Sequence, residues 1–76
     1  MASLLIMNNL RAYRTRKKMT QEDLAKKASV SRQTIISIEN GKYTPSLPLS
    51  LMLAEIFGCS VEDLFDIQRD RRRNTE

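Results

Sequence analysis

The sequence predicts a single compact all-α domain of five short helices, and three observations carry that prediction. Helix-type apolar spacing runs along most of the 76 residues, and β-branched residues do not alternate with polar ones as a half-buried strand requires. A serine or threonine suited to capping a helix stands ahead of four separate helical stretches, at Thr20, Ser31, Ser46 and Ser60. The two glycines and two prolines all fall between residues 41 and 58, so breakers are sparse elsewhere. A chain of this length only just encloses one core. It cannot be stapled by disulfides, because Cys59 is the only cysteine, and without histidine a zinc or haem site lacks its commonest ligand. Helix packing or a partner subunit must supply the stability.

The first helix is predicted from about Asn8 to Lys17, with Leu10 and Tyr13 facing inward. Thr20, with Asp23 three residues on, has the form of a capping box and opens a second helix through Ala28, whose apolar positions are Leu24, Ala25 and Ala28. After the short turn "ASVS", Ser31 caps a third helix that Gly41 stops. "KYTPS" is a loop, and Ser46 caps a fourth helix ending at Gly58, with Pro48 in the first turn where its missing N–H is tolerated. Ser60 and Asp63 repeat the capping box ahead of the short helix "VEDLF". Residues 1–7 are predicted to be an N-terminal extension, residues 8–67 the domain with its dimerisation surface, and residues 68–76 a flexible basic tail lacking any apolar anchor after Ile67.

Charge is unevenly spread around a net +4. Residues 1–20 hold Arg11, Arg14, Arg16, Lys17 and Lys18 and no acid, whereas residues 46–67 hold Glu55, Glu62, Asp63 and Asp66 and no base. Arg69, Arg71, Arg72 and Arg73 make the tail basic again. A positive pole on a small domain attracts a polyanion, with nucleic acid ahead of an anionic membrane surface, although charge also serves plain solubility. No apolar run approaches the roughly 20 residues that span a bilayer. "MASLLIMNNL" lacks the basic and apolar regions of a signal peptide, so a cytoplasmic, reduced setting is expected.

The second and third helices are only about three residues apart, the linkage of a helix-turn-helix. With successive residues about 100° apart, Thr34, Ile35 and Ile38 share one side of the third helix, with Glu39 at its edge. The opposite side carries Gln33, Ile36, Ser37 and Asn40, with Arg32 near the N-terminal end. Base edges in a major groove call for such groups. Gln is bidentate to adenine, Arg to guanine, and an apolar group meets the thymine methyl. A face that serves only solubility usually carries Lys and Glu, and this one is mostly uncharged.

The run "TQEDLAKKASVSRQTIISIENGKYTPSLPLSLMLAEIFGCSVEDLF" closely resembles the lambda-repressor-like helix-turn-helix family of bacterial and phage regulators, also called the Cro or XRE family. "TQEDLA", "VSRQTI", "IENGK", "PS" and "VEDLF" occur together and in order, and the similarity extends from near "NNLRAYRTRKKMT" to Phe65. The resemblance implies a five-helix domain whose third helix enters the major groove of double-stranded DNA. By position it implies base contacts from Arg32, Gln33 and Ser37. It also implies phosphate contacts from Gln21, Asn40 and Lys42, with Tyr43 and Thr44 in the following loop and Arg11 and Arg14 on the first helix. It further implies an ion pair between Arg14 and Glu39. The helix geometry supports that pair separately, since an unpaired carboxylate at the core edge would be costly. Ile36 departs from the family, which commonly has a small or polar residue there. It either packs at the helix edge or contacts a thymine methyl. Cys59 replaces a small apolar residue and is expected to be a buried, inert thiol.

The fourth helix is apolar nearly all round: Leu47, Leu51 and Ala54 on one side, Leu53 and Phe57 on an adjoining one, Leu49, Met52 and Ile56 on a third. A core this small can cover one side, so Leu49, Met52 and Ile56, with Phe65 and Ile67 and the N-terminal "LLIM", are expected to form a homodimer interface. The expected function is sequence-specific transcriptional regulation, most simply repression, at a palindromic operator. Alternatives are an antitoxin or restriction-modification controller of the same fold, or a protein-interaction module without specific DNA binding. No enzyme activity, metal, cofactor or small-molecule effector is expected.

Overall fold

The computed structural model describes residues 5–68. Five helices follow in order, α1 (Leu10–Arg16), α2 (Gln21–Ala28), α3 (Arg32–Glu39), α4 (Leu47–Phe57) and α5 (Val61–Leu64), flanked by two short strands, β1 (Leu5–Asn8) and β2 (Phe65–Gln68). The caps fall where the sequence puts them. Thr20 Oγ1 accepts the Asp23 N–H and Asp23 Oδ2 accepts the Thr20 N–H, both at 2.9 Å. Ser31 and Ser46 accept from Thr34 and Leu49, and Ser60 and Asp63 form the second reciprocal box at 3.0 and 3.1 Å.

All of the four longer helices end the same way. A residue in the left-handed region (Lys18, Ser29, Gly41 or Gly58) turns the chain, and the next residue's N–H reaches back five positions to a carbonyl of the last turn. This is the Schellman arrangement, in which two otherwise orphaned carbonyls find donors. Only Gly41 and Gly58 were signalled in the sequence; Lys18 and Ser29 adopt the same geometry with φ of 59° despite their Cβ atoms.

The core gathers Leu10 from α1, Leu24, Ala25 and Ala28 from α2, Ile35 and Ile38 from α3, Leu53, Ala54 and Phe57 from α4, and Leu64 from α5. Tyr13 leans on Phe57 with ring centroids 5.9 Å apart. Burying each large aliphatic side chain here contributes about 1.5–3 kcal/mol. In α4 the inward stripe is Ser50, Leu53, Ala54 and Phe57, and Ser50 Oγ satisfies itself on the Ser46 carbonyl at 2.9 Å. Leu49 and Ile56, expected on the free side, are half-buried against the core, as is Phe65. The outermost apolar groups of the helix are Leu47, Leu51 and Met52, at 67%, 54% and 42% exposure.

The helical reading omits the two strands. β1 and β2 pair antiparallel, Leu5 with Gln68, Ile6 with Ile67, Met7 with Asp66 and Asn8 with Phe65. The expected extension at residues 5–7 is therefore strand backbone, α1 starts at Leu10 rather than Asn8, and Phe65 leaves α5 with extended φ and ψ of −129° and 136°. "FDIQ" does alternate apolar with polar, but its partner lies some 60 positions away along the chain, beyond the reach of a local pattern. The side chains of residues 5–7, Ile67 and Gln68, and the tail from Arg69, lie outside the described residues.

Candidate nucleic-acid interface

The turn between α2 and α3 is three residues long. Ser29 in the left-handed conformation ends α2, Val30 tucks against the core, and Ser31 opens α3. This anchors α3 by its Ile35 and Ile38 side chains, both buried, and turns the other side outward. Arg32 and Gln33 are exposed on its first turn, Ile36 and Ser37 are half-exposed in its middle, and Asn40 is exposed at its end. Ile36 is not among the side chains that pack on the core, so it stands at the margin of the outward face.

Past Asn40 the chain bends through Gly41, whose N–H reaches the Ile38 carbonyl, while the Lys42 N–H reaches the Ser37 carbonyl at 2.9 Å. Lys42, Tyr43 and Thr44, which follow that turn, are all exposed. Tyr43 joins Ser31, Gln33, Thr34 and Ser37 around a shallow open concavity. A second, wider groove is lined by Arg11, Arg14, Thr20, Gln21, Glu22 and Arg32, at the N-terminal end of α2.

One buried carboxylate ties these parts together. The Glu39 side chain is fully buried. Its Oε2 accepts from Arg14 Nε at 2.6 Å, and its Oε1 accepts from Arg14 Nη2 at 3.2 Å, Gln21 Nε2 at 3.2 Å and Arg11 Nε at 3.3 Å. Burial alone would raise the Glu39 pKa. The hydrogen bonds from Arg14, Gln21 and Arg11, with the Arg14 charge, outweigh it and hold the carboxyl below its ordinary value. Donors from α1 and α2 thus converge on the last residue of α3 and fix the three helices relative to one another.

The network sorts the expected phosphate contacts. Arg14 gives Nη1 to the Met19 carbonyl at 2.9 Å as well as its bidentate grip on Glu39, and its side chain is only 11% exposed. Little of it remains to meet a ligand. Arg11, 62% exposed, rests Nε on Glu39 and Nη2 on Asn40 Oδ1 at 3.5 Å with the remainder facing outward. Gln21 uses one amide N–H on Glu39 and keeps the other. Arg16 stands over the Tyr13 ring at 5.1 Å.

Two asparagines at the β1–α1 junction escaped the sequence reading. Asn8 donates Nδ2 to the Ile38 carbonyl at 2.9 Å and accepts the Leu10 N–H at 3.2 Å. Asn9 joins α5 through its backbone N–H on the Leu64 carbonyl and its amide on the Asp63 carbonyl, at 2.8 and 3.0 Å. The "NN" pair ahead of a helix was the available signal, since such residues satisfy N-terminal N–H groups. Cys59 is half-buried with its thiol pKa raised, by burial first and by the Asp63 charge second, against a hydrogen bond from Tyr13. That suits an unreactive thiol. Among the described residues no cluster of three or more potential ligands could hold a metal ion, and no helix is long and apolar enough to cross a membrane.

A helix-turn-helix family model matches residues 10–64. An uncharacterized helix-turn-helix-type transcriptional regulator of Methanocaldococcus jannaschii is 56% identical over 63 residues, covering 83% of this chain and 96% of that protein. Among solved structures, the restriction-modification controller protein C.AhdI from Aeromonas hydrophila superposes with a TM-score of 0.66 at 31% identity, covering 71% of this chain and 82% of the other. The clp gene regulator ClgR from Corynebacterium glutamicum gives the same TM-score and identity, and there the match spans 57% of the longer chain.

Proposed function

The chain belongs to the helix-turn-helix family of DNA-binding transcriptional regulators, and from that premise we propose that it represses transcription by binding a palindromic operator as a homodimer. The observation that carries this reading is the outward face of α3, polar yet nearly uncharged, on a helix pinned by a buried carboxylate. Arg32, Gln33 and Ser37 read base edges, and Ile36 adds an apolar contact to a thymine methyl. Arg11, Gln21, Asn40, Lys42, Tyr43 and Thr44 hold phosphates on either side, which fixes the register of α3 in the groove. Arg14 acts mainly by fixing Glu39. The second copy docks on the apolar surface of α4 through Met52, with the exposed Leu47 and Leu51 adjoining and the half-buried Leu49, Ile56 and Phe65 at its margin. Two-fold symmetry then sets the half-sites roughly 34 Å apart.

Selection from random duplex DNA tests the proposal. It should recover an inverted repeat, bound with an affinity that falls steeply with salt. Recovery of no motif would contradict it. The likeness to C.AhdI favours a second reading, control of a restriction-modification system. It differs in the genes regulated and not in the way DNA is held. Placing the recovered motif on the genome separates the two, since a controller's site lies before restriction or methylation genes.

A further inference from the structure

Reading base edges requires α3 to be fixed in rotation and along its axis, and the core supplies only two large side chains for this, Ile35 and Ile38. The Glu39 carboxylate is one tether. The second is the Ile38 carbonyl, which accepts both the Gly41 N–H at 3.0 Å and Asn8 Nδ2 at 2.9 Å. The first of these bonds belongs to the turn that delivers Lys42 and Tyr43. The second comes from the last residue of β1, thirty positions away in the chain. We infer that Asn8 is a positioning residue for DNA reading, one that acts by holding the C-terminal end of α3 and the turn behind it in place. The inference rests on the proposal that α3 reads DNA.

The geometry separates this role from simple stabilisation. Asn8 and Asn9 sit side by side, and each donates an amide N–H to a helix carbonyl, but Asn8 grips α3 whereas Asn9 grips α5. Asn8 also accepts from Leu10 and so starts α1, a second job that a suitable substitution can spare. Asn8→Asp keeps the size and the acceptor for Leu10 and removes the donor to Ile38. Asn8→Ser keeps a shorter acceptor, adds no charge, and cannot reach Ile38. Asn9→Ala removes the neighbouring bond to α5 and leaves the grip on α3 intact.

Each variant and the wild type would be titrated against a duplex carrying the selected motif and against a scrambled duplex of equal composition, alongside thermal melts. Asn8→Asp should lose about tenfold in affinity for the motif, the scale of one hydrogen bond lost at a sensitive place, with scrambled binding within about twofold of wild type. Asn8→Ser should do the same, and it carries the test should the aspartate variant show no cooperative melt. Asn9→Ala should lower the melting temperature while leaving the ratio of motif to scrambled affinity unchanged. If the asparagine 8 variants keep the wild-type ratio, the positioning role is overturned although the reading of DNA stands. If the wild type prefers no motif, the reading of DNA fails and this inference with it.

Discussion

Glu39 shows how one side chain serves both fold and site. It is a fully buried carboxylate in a chain of net positive charge, and donors from Arg14, Gln21 and Arg11 surround it. Removing the main partner leaves a buried charge undercompensated, so Arg14→Ala should cost about 3 kcal/mol in chemical denaturation. The depressed pKa also has a definite sign. Stability from Glu39 is fully present above 4.5, where a glutamate titrates in the unfolded chain, and is lost as pH falls through the lower folded value. Glu39→Gln should therefore be much less stable than wild type near neutrality, with the gap in melting temperature narrowing as pH falls below 4.5. A constant gap would mean that the carboxylate charge does not matter. Ile36 poses the opposite problem, an apolar group among polar ones. Ile36→Ser should relax the preference for one A·T pair in the selected motif, and an identical motif would make it an edge contact only.

At the scale of elements, the helix ends decide how the site is presented. The Gly41 turn brings Tyr43 beside Gln33 and Ser37 of α3, and a Cβ added at Gly41 would meet nothing within 4 Å. The cost of Gly41→Ala is then the left-handed backbone alone, about 1 kcal/mol. Ser29 has the same geometry without being glycine, so Ser29→Gly should be neutral or stabilise slightly, and thermal melts of the two variants check the contrast. The elements the sequence made legible are those encoded locally. Thr20 with Asp23, Ser60 with Asp63, and Ser31 and Ser46 mark helix starts within four residues of the groups they bond. What it hid depends on distant partners. β1 exists because of β2, Asn8 is used by Ile38, and Leu51 stands exposed because Ser50 and Ala54 take the inner side of α4. At the site, the outward set of α3 followed from helical spacing. The diversion of Arg14 to Glu39 and the Met19 carbonyl depends on how α1 packs against α3 and the loop before α2, which helical spacing does not encode.

For the whole molecule, the balance of surfaces is what the proposed assembly on DNA uses. One side presents Arg11, Arg32, Lys42 and a polar helix face, while α4 leaves Leu47, Leu51 and Met52 in water. Contiguous exposed apolar groups on so small a domain are costly unless covered. Met52→Glu should produce monomers in analytical ultracentrifugation and weaken operator binding while sparing the fold. A sedimentation coefficient equal to that of the wild type would remove Met52 from the interface. Direct reading of base edges by α3 is tested best at Gln33, which is exposed on the first turn with no structural bond to lose. The deciding measurement is the affinity of Gln33→Ala for the selected operator and for a scrambled duplex at one salt concentration. A loss of about 1–3 kcal/mol on the operator with scrambled binding nearly unchanged is the predicted result. Equal loss on both duplexes, or on neither, would contradict the account.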